Sequence, residues 1–200
     1  DLDAINCVFR DNQIDSWGGA IYCRDNRVRL IGCTFTGNVS KTLRGGAVRC
    51  ERSRVEIANC TFENNTGSAL DTTDCQVTVT GSAFQQNKGQ EGGAIRSNAD
   101  ADGYATSLNV TQCSFTANSA GANGGALYNH SLPATINACW FTSNAANQDG
   151  GAIYNYRSSP TIASCLFVAN GARQAGGGVG NLYQSSPTIV NCTFVSNEAE

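Results

Sequence analysis

The side chains that could do chemistry are few and widely spaced in this 200-residue chain. The densest set of oxygen donors is Asn98-Ala99-Asp100-Ala101-Asp102-Gly103, which reads N-x-D-x-D-G. Alternating Asx oxygens before a glycine turn make up the first half of an EF-hand-type calcium loop. Asn98, Asp100 and Asp102 are therefore the candidate Ca²⁺ ligands, with Asn109 standing where a closing glutamate would belong. The competing reading is an Asx-rich surface insertion. No other cofactor is implied. Asp71 and Asp74 offer the paired carboxylates that polysaccharide cleavage uses. The base a lyase would also need is not adjacent in sequence, so Arg96 or Lys88 would have to approach from a neighbouring repeat. His130, the single histidine, follows Asn129 in a stretch that reads as exposed loop, and no catalytic residue is assigned. Tyr128, Tyr154, Tyr156 and Tyr183 fit either an aromatic strip for sugar contact or ordinary strand tyrosines. Ten cysteines with one histidine, at these spacings, do not make a zinc site.

The elements that must position these groups come from an internal repeat. All eight phenylalanines sit in F-x-x-N: Phe9 with Asn12, Phe35 with Asn38, Phe62 with Asn65, Phe84 with Asn87, Phe115 with Asn118, Phe141 with Asn144, Phe167 with Asn170 and Phe194 with Asn197. Their spacings are 26, 27, 22, 31, 26, 26 and 27 residues. A Gly-Gly-Ala-(Ile/Leu/Val) motif alternates with them, as at Gly18-Gly19-Ala20-Ile21 and Gly150-Gly151-Ala152-Ile153, and degenerates at Gly67-Ser68 and at Gly176-Gly177-Gly178-Val179. Two apolar residues lie seven and five positions before Phe, as in Val28/Leu30 and Val55/Ile57. Cysteine lies two positions before Phe at Cys7, Cys33, Cys60, Cys113, Cys139, Cys165 and Cys192, with Ser82 in the remaining place.

Period-two alternation over short runs is a strand signal. The apolar pair is out of phase with Cys and Phe by one residue. A bend three or four residues before Phe is therefore required to turn both pairs inward. The double glycine marks a tight corner, and the Asn of F-x-x-N is expected at a turn, in left-handed geometry and bonding its own backbone. Each repeat thus supplies about three short strands and three corners and buries its apolar face by stacking. About eight coils spaced about 4.8 Å apart give a rod roughly 35–40 Å long. Phe, Cys and apolar side chains should form internal ladders, each Phe contributing about 1.5–3 kcal/mol.

In this frame the ladder cysteines read as small buried residues, some within disulfide range of the next coil. Cys23 and Cys50, each five residues after the first glycine of its motif, are the disulfide candidate; Cys75 lacks an obvious mate, unless it replaces Cys23 beside Cys50.

At its two motifs the chain resembles the polymorphic outer-membrane protein repeats of chlamydial surface proteins, which alternate GGA[ILV] with FxxN. The resemblance covers essentially the whole chain. It implies an all-β, right-handed, single-stranded parallel β-helix of about seven to eight coils of roughly 26 residues. It also implies display on a secreted or surface protein, as an adhesin or a passenger segment.

Composition narrows the function. Charged residues are 14% and the formal net charge is −3, which argues against nucleic-acid binding. Residues 1–60 carry nine Lys/Arg against seven Asp/Glu, and the rest four against nine, a polarity that fits a solvated face. No apolar run is long enough for a membrane-spanning helix. N-x-[ST] occurs at Asn38, Asn59, Asn64, Asn109, Asn129 and Asn191. Neither end departs from the repeat, so residues 1–200 are expected to be one β-helix domain cut from a longer chain. Its partners would be flanking coils, or identical subunits stacked end to end. The expected function is a non-catalytic extracellular or cell-surface structural or adhesive module with a glycan or protein ligand; the alternatives are a head-to-tail filament subunit and a polysaccharide-active enzyme.

Overall fold

A residue that can leave the β region at the right place turns a strand run into a coil, and this chain has one at every corner. In the computed structural model, which describes residues 1–100 and 104–200, the residue three before each Phe has a positive φ: Asn6, Gly32, Asn59, Gly81, Gln112, Ala138, Ser164 and Asn191, between 51° and 61°. This is the bend that the phase shift demands. The residue two after each Phe is also left-handed, from Asp11 to Ser196. Single left-handed residues turn a chain sharply without a long loop.

Between corners the strands stack in parallel, and among the described residues they form three long sheets and, from the short strands, a five-stranded and a two-stranded one. The apolar-pair sheet has eight strands, from Leu2–Ile5 through Arg54–Ala58 to Thr188–Val190. The phenylalanine sheet has eight, from Val8–Arg10 to Thr193–Val195. The glycine sheet, which follows the GGA motif, has seven, from Ile21–Arg24 to Val179–Leu182. After every Asn but Asn65, where only the bridge residue Thr66 remains, comes a fourth, two-residue strand, as at Lys88–Gly89, so the expected three strands per coil gain one. Register is strict: Phe pairs with Phe and Val28 with Val55. The 22- and 31-residue spacings leave it intact, because the missing and added residues fall at corners.

The double glycine is needed for two different reasons. Gly150 has φ +69°, and a Cβ on Gly151 would lie 2.1 Å from the carbonyl oxygen of Gly177 in the next coil. The first glycine turns the chain and the second lets two backbones approach.

Inside, six of the eight phenylalanines, Phe35 to Phe167, are fully buried. Their rings stack nearly parallel, with centroids 4.4–5.1 Å apart along the ladder from Phe9 to Phe194. That separation exceeds van der Waals contact of about 3.5–4 Å, so the stack is offset, the favourable arrangement for ring quadrupoles. The widest step, Phe84 to Phe115, spans the 31-residue repeat.

The asparagines correct one expectation. They do not take the left-handed position, which falls on the preceding residue; from Asn38 to Asn170 they point inward and are buried. Each amide is held by its neighbours rather than by its own backbone. Asn118 Nδ2 donates to Asn144 Oδ1 (3.0 Å) and to the Phe84 carbonyl (3.0 Å). Its Oδ1 accepts from Asn87 Nδ2 (3.0 Å) and from the Asn87 backbone N–H (3.1 Å). Both donors and both acceptor sites are satisfied, which is the condition for burying an amide.

Candidate ligand-binding face

The Phe and Asn ladders repeat from coil to coil, and most of the charged and tyrosine side chains lie on the outer faces. On the glycine sheet one outward column runs Tyr22, Arg49, Asp71, Arg96, Tyr128, Tyr154, Gly180 in register. The column beside it runs Arg24, Glu51, Thr73, Asn98, His130, Tyr156, Leu182. The face is charged in its first half and aromatic in its second.

In the charged half, Asp71 is fully buried between two arginines. Arg49 Nη1 donates to Asp71 Oδ1, and Arg96 Nη1 reaches the same oxygen at 3.3 Å. Arg49 also pairs with Glu51 (2.9 Å) and Arg96 with Glu91 (2.9 Å). Burial would raise the Glu51 carboxyl, but the hydrogen bond and charge of Arg49 outweigh it and hold Glu51 below its ordinary value. The other Asp71 oxygen, Oδ2, makes no hydrogen bond in the structure. Arg96 does come to Asp71 from the next coil, whereas Lys88 lies on the short strand Lys88–Gly89 in a different sheet. Asp74 sits at a corner, where Oδ1 accepts the Asp100 backbone N–H (2.8 Å), so the two aspartates occupy different environments. Arg49 and Glu51 carry no motif. Only the shared offset, four residues after the first glycine of the motif in each coil, could have placed Arg49 over Asp71.

Of the three candidate calcium ligands, two fall among the described residues. Asn98 ends the strand Ile95–Asn98 and is buried against the Arg96 guanidinium; with its amide turned to face that donor, the oxygen accepts from Arg96 Nη1 (2.9 Å) and Nη2 (2.6 Å). Asp100 is half-exposed, with Oδ1 3.9 Å from His130 Nδ1. Asp102 lies outside the described residues. Among the described residues no three His, Cys, Asp or Glu side chains converge as a metal site.

In the aromatic half, Tyr128 stacks on Tyr154 (5.6 Å), both buried, and burial pushes the Tyr154 hydroxyl up to about 12. The accessible edge is built from His130, edge-on to Tyr156 (4.9 Å), Tyr156 against Tyr183 (4.6 Å), and Arg157 over the Tyr156 ring (5.6 Å). Tyr183 is 59% exposed. His130 is thus on a strand in this cluster rather than in a loop. A competing concavity of about 390 Å³ lies over the apolar-pair sheet, lined by Arg54, Glu56, Gln76, Thr78, Ser107 and Asn109, without aromatic groups.

The cysteines divide into two kinds. Those before Phe bond the backbone at the bend: Cys60 Sγ accepts the Cys33 N–H (3.4 Å) and donates to the Leu30 and Ala58 carbonyls (3.3 and 3.4 Å). Ser82 does the same with its hydroxyl, accepting the Cys60 N–H (3.1 Å) and donating to the Thr80 carbonyl (2.9 Å). Cys75 is the equivalent at another corner, its mate being Ser53, whose N–H it accepts (3.3 Å). Cys75 does not share a register position with Cys50, which pairs with Thr72 on that side and with Cys23 on the other. Of the N-x-[ST] asparagines, Asn38 and Asn129 are buried, and Asn59, Asn64, Asn109 and Asn191 are exposed.

The model of the right-handed β-helix region matches residues 2–102. The Chlamydia polymorphic membrane protein repeat matches residues 112–130 and 141–156. No curated protein and no solved structure matches the chain.

Proposed function

The chain belongs to the right-handed β-helix family, and we propose that it is a non-catalytic, surface-displayed adhesive module whose glycine-sheet outer face receives a ligand. One observation carries this reading. The Phe and Asn ladders are uniform along the stack, while Tyr156, Tyr183, His130 and Arg157 gather on one outer face, Tyr183 and Arg157 exposed and His130 and Tyr156 partly so. Aromatic rings with polar tips bind partners through apolar contact while still hydrogen-bonding at the rim. The match to repeats of a membrane protein family supports surface display.

The polysaccharide-active alternative finds little support. General acid–base catalysis needs a carboxyl group within reach of substrate. Asp71 is closed off between Arg49 and Arg96, and Asp74 is engaged by the backbone at a corner. The test presents the purified domain on beads to cultured cell monolayers and immobilised glycans, and in parallel incubates it with pectin and alginate. The reading expects saturable retention and no rise in unsaturated-product absorbance; product formation without retention would replace it with the enzyme.

A further inference from the structure

Eight of the ten cysteines bond backbone groups at corners, and the remaining two do not. Cys23 and Cys50 are buried and lie away from the corners, on the strands Ile21–Arg24 and Val48–Glu51. Both point inward from the glycine sheet, one coil apart and in register, in a column that continues as Thr72, Ser97, Asn129, Asn155 and Asn181. Further along, side-chain bonds join Thr72 to Ser97 (2.9 Å), and Asn129 to Asn155 (2.9 Å) and Asn155 to Asn181 (2.8 Å), with a break between Ser97 and Asn129. Adjacent parallel strands lie about 4.8 Å apart, within the Cα range of about 4.4–6.8 Å that a disulfide spans.

We propose that Cys23 and Cys50 form an inter-coil disulfide, a covalent rung in a column whose later rungs are hydrogen bonds. The other ladder cysteines stay reduced, because bridging them would pull each sulfur away from the N–H and carbonyl it satisfies at its bend. With glutathione disulfide as oxidant, one of the two thiolates attacks a glutathione sulfur, forming a mixed disulfide and releasing one glutathione thiolate. The second cysteine then attacks the protein-bound sulfur and releases the other. The two cysteines lose two electrons, glutathione disulfide gains them, and the two thiol protons end on the two glutathiones.

The test refolds the chain in a glutathione redox buffer, alkylates it in denaturant and maps tryptic peptides by mass. The expected result is eight alkylated cysteines of ten, with peptide 11–24 linked to peptide 50–52. The oxidised protein should also melt several degrees above the reduced one. The Cys23→Ser/Cys50→Ser variant, whose new hydroxyls match Thr72 and Ser97 in the same column, should keep its β-sheet circular dichroism and lose that redox-dependent difference. Ten alkylated cysteines, a link between two cysteines that precede Phe, or a redox-dependent melting shift that survives in the double variant would overturn the proposal.

Discussion

An amide side chain belongs inside a protein only when each donor and acceptor is met, and the F-x-x-N asparagine meets that condition through its neighbours above and below. Asn118→Ala would leave the Phe84 carbonyl, the Asn87 backbone N–H and two neighbouring amides without their partners. The expected loss is about 3 kcal/mol or more, given about 1–3 kcal/mol for each unsatisfied buried group, read as the shift in urea midpoint. Asn118→Asp should do no better. A carboxylate cannot donate, and it would set an acceptor against Asn144 Oδ1 and the Phe84 carbonyl. At the cysteine position the reverse holds: Cys60→Ser should cost less than about 1.5 kcal/mol, because Ser82 already performs the same bonding one coil on. A urea midpoint for Cys60→Ser as low as that of Asn118→Ala would contradict this equivalence. The conserved spacing made both ladders legible in the sequence. The inward direction of Asn was not, because Asn is equally a turn former, and only the φ values show that the residue before it makes the turn.

At the scale of the element, corners carry the constraints and sheets follow. Gly151→Ala should destabilise strongly, since its Cβ would sit 2.1 Å from the Gly177 carbonyl oxygen. Gly171→Ala, where the same atom meets nothing within 4 Å, should be neutral or slightly stabilising in the same thermal melt. The charged half of the glycine sheet gives a different signature. Asp71→Asn removes the shared counter-ion of Arg49 and Arg96 and should cost about 3–5 kcal/mol, the usual cost of breaking a buried pair. Glu51 adds a pH dependence. Its folded carboxyl is held below its ordinary value of 4.5, so its stabilisation is complete above that pH and fades as the pH falls through the folded value. Glu51→Gln should flatten that acid limb of the melting curve. Strands and bends could be read from alternation and phase. The approach of Arg96 to Asp71 could be posed from the repeat, but Arg49 on the other side could not, because it lies 22 residues before Asp71 and meets it only through register across the shortened coil.

For the whole molecule, repetition inside and variety outside define the division of labour. The count of F-x-x-N motifs foretold the number of coils, and insertions and deletions were absorbed at corners, as in the 31-residue repeat. The aromatic edge was visible only as scattered tyrosines; the fold is what brings Tyr156, Tyr183, His130 and Arg157 onto one face. If that face is the working surface, its loss should leave the solenoid untouched, since Tyr183 is largely exposed and the Phe ladder belongs to a different sheet. The most direct measurement is a binding titration of the Tyr156→Ala/Tyr183→Ala variant on the cell or glycan surface that retains the wild-type chain, with its melting temperature measured on the same preparation. The account predicts at least a tenfold loss of affinity with a melting temperature within a few degrees of wild type. Unchanged affinity in a folded variant would contradict it.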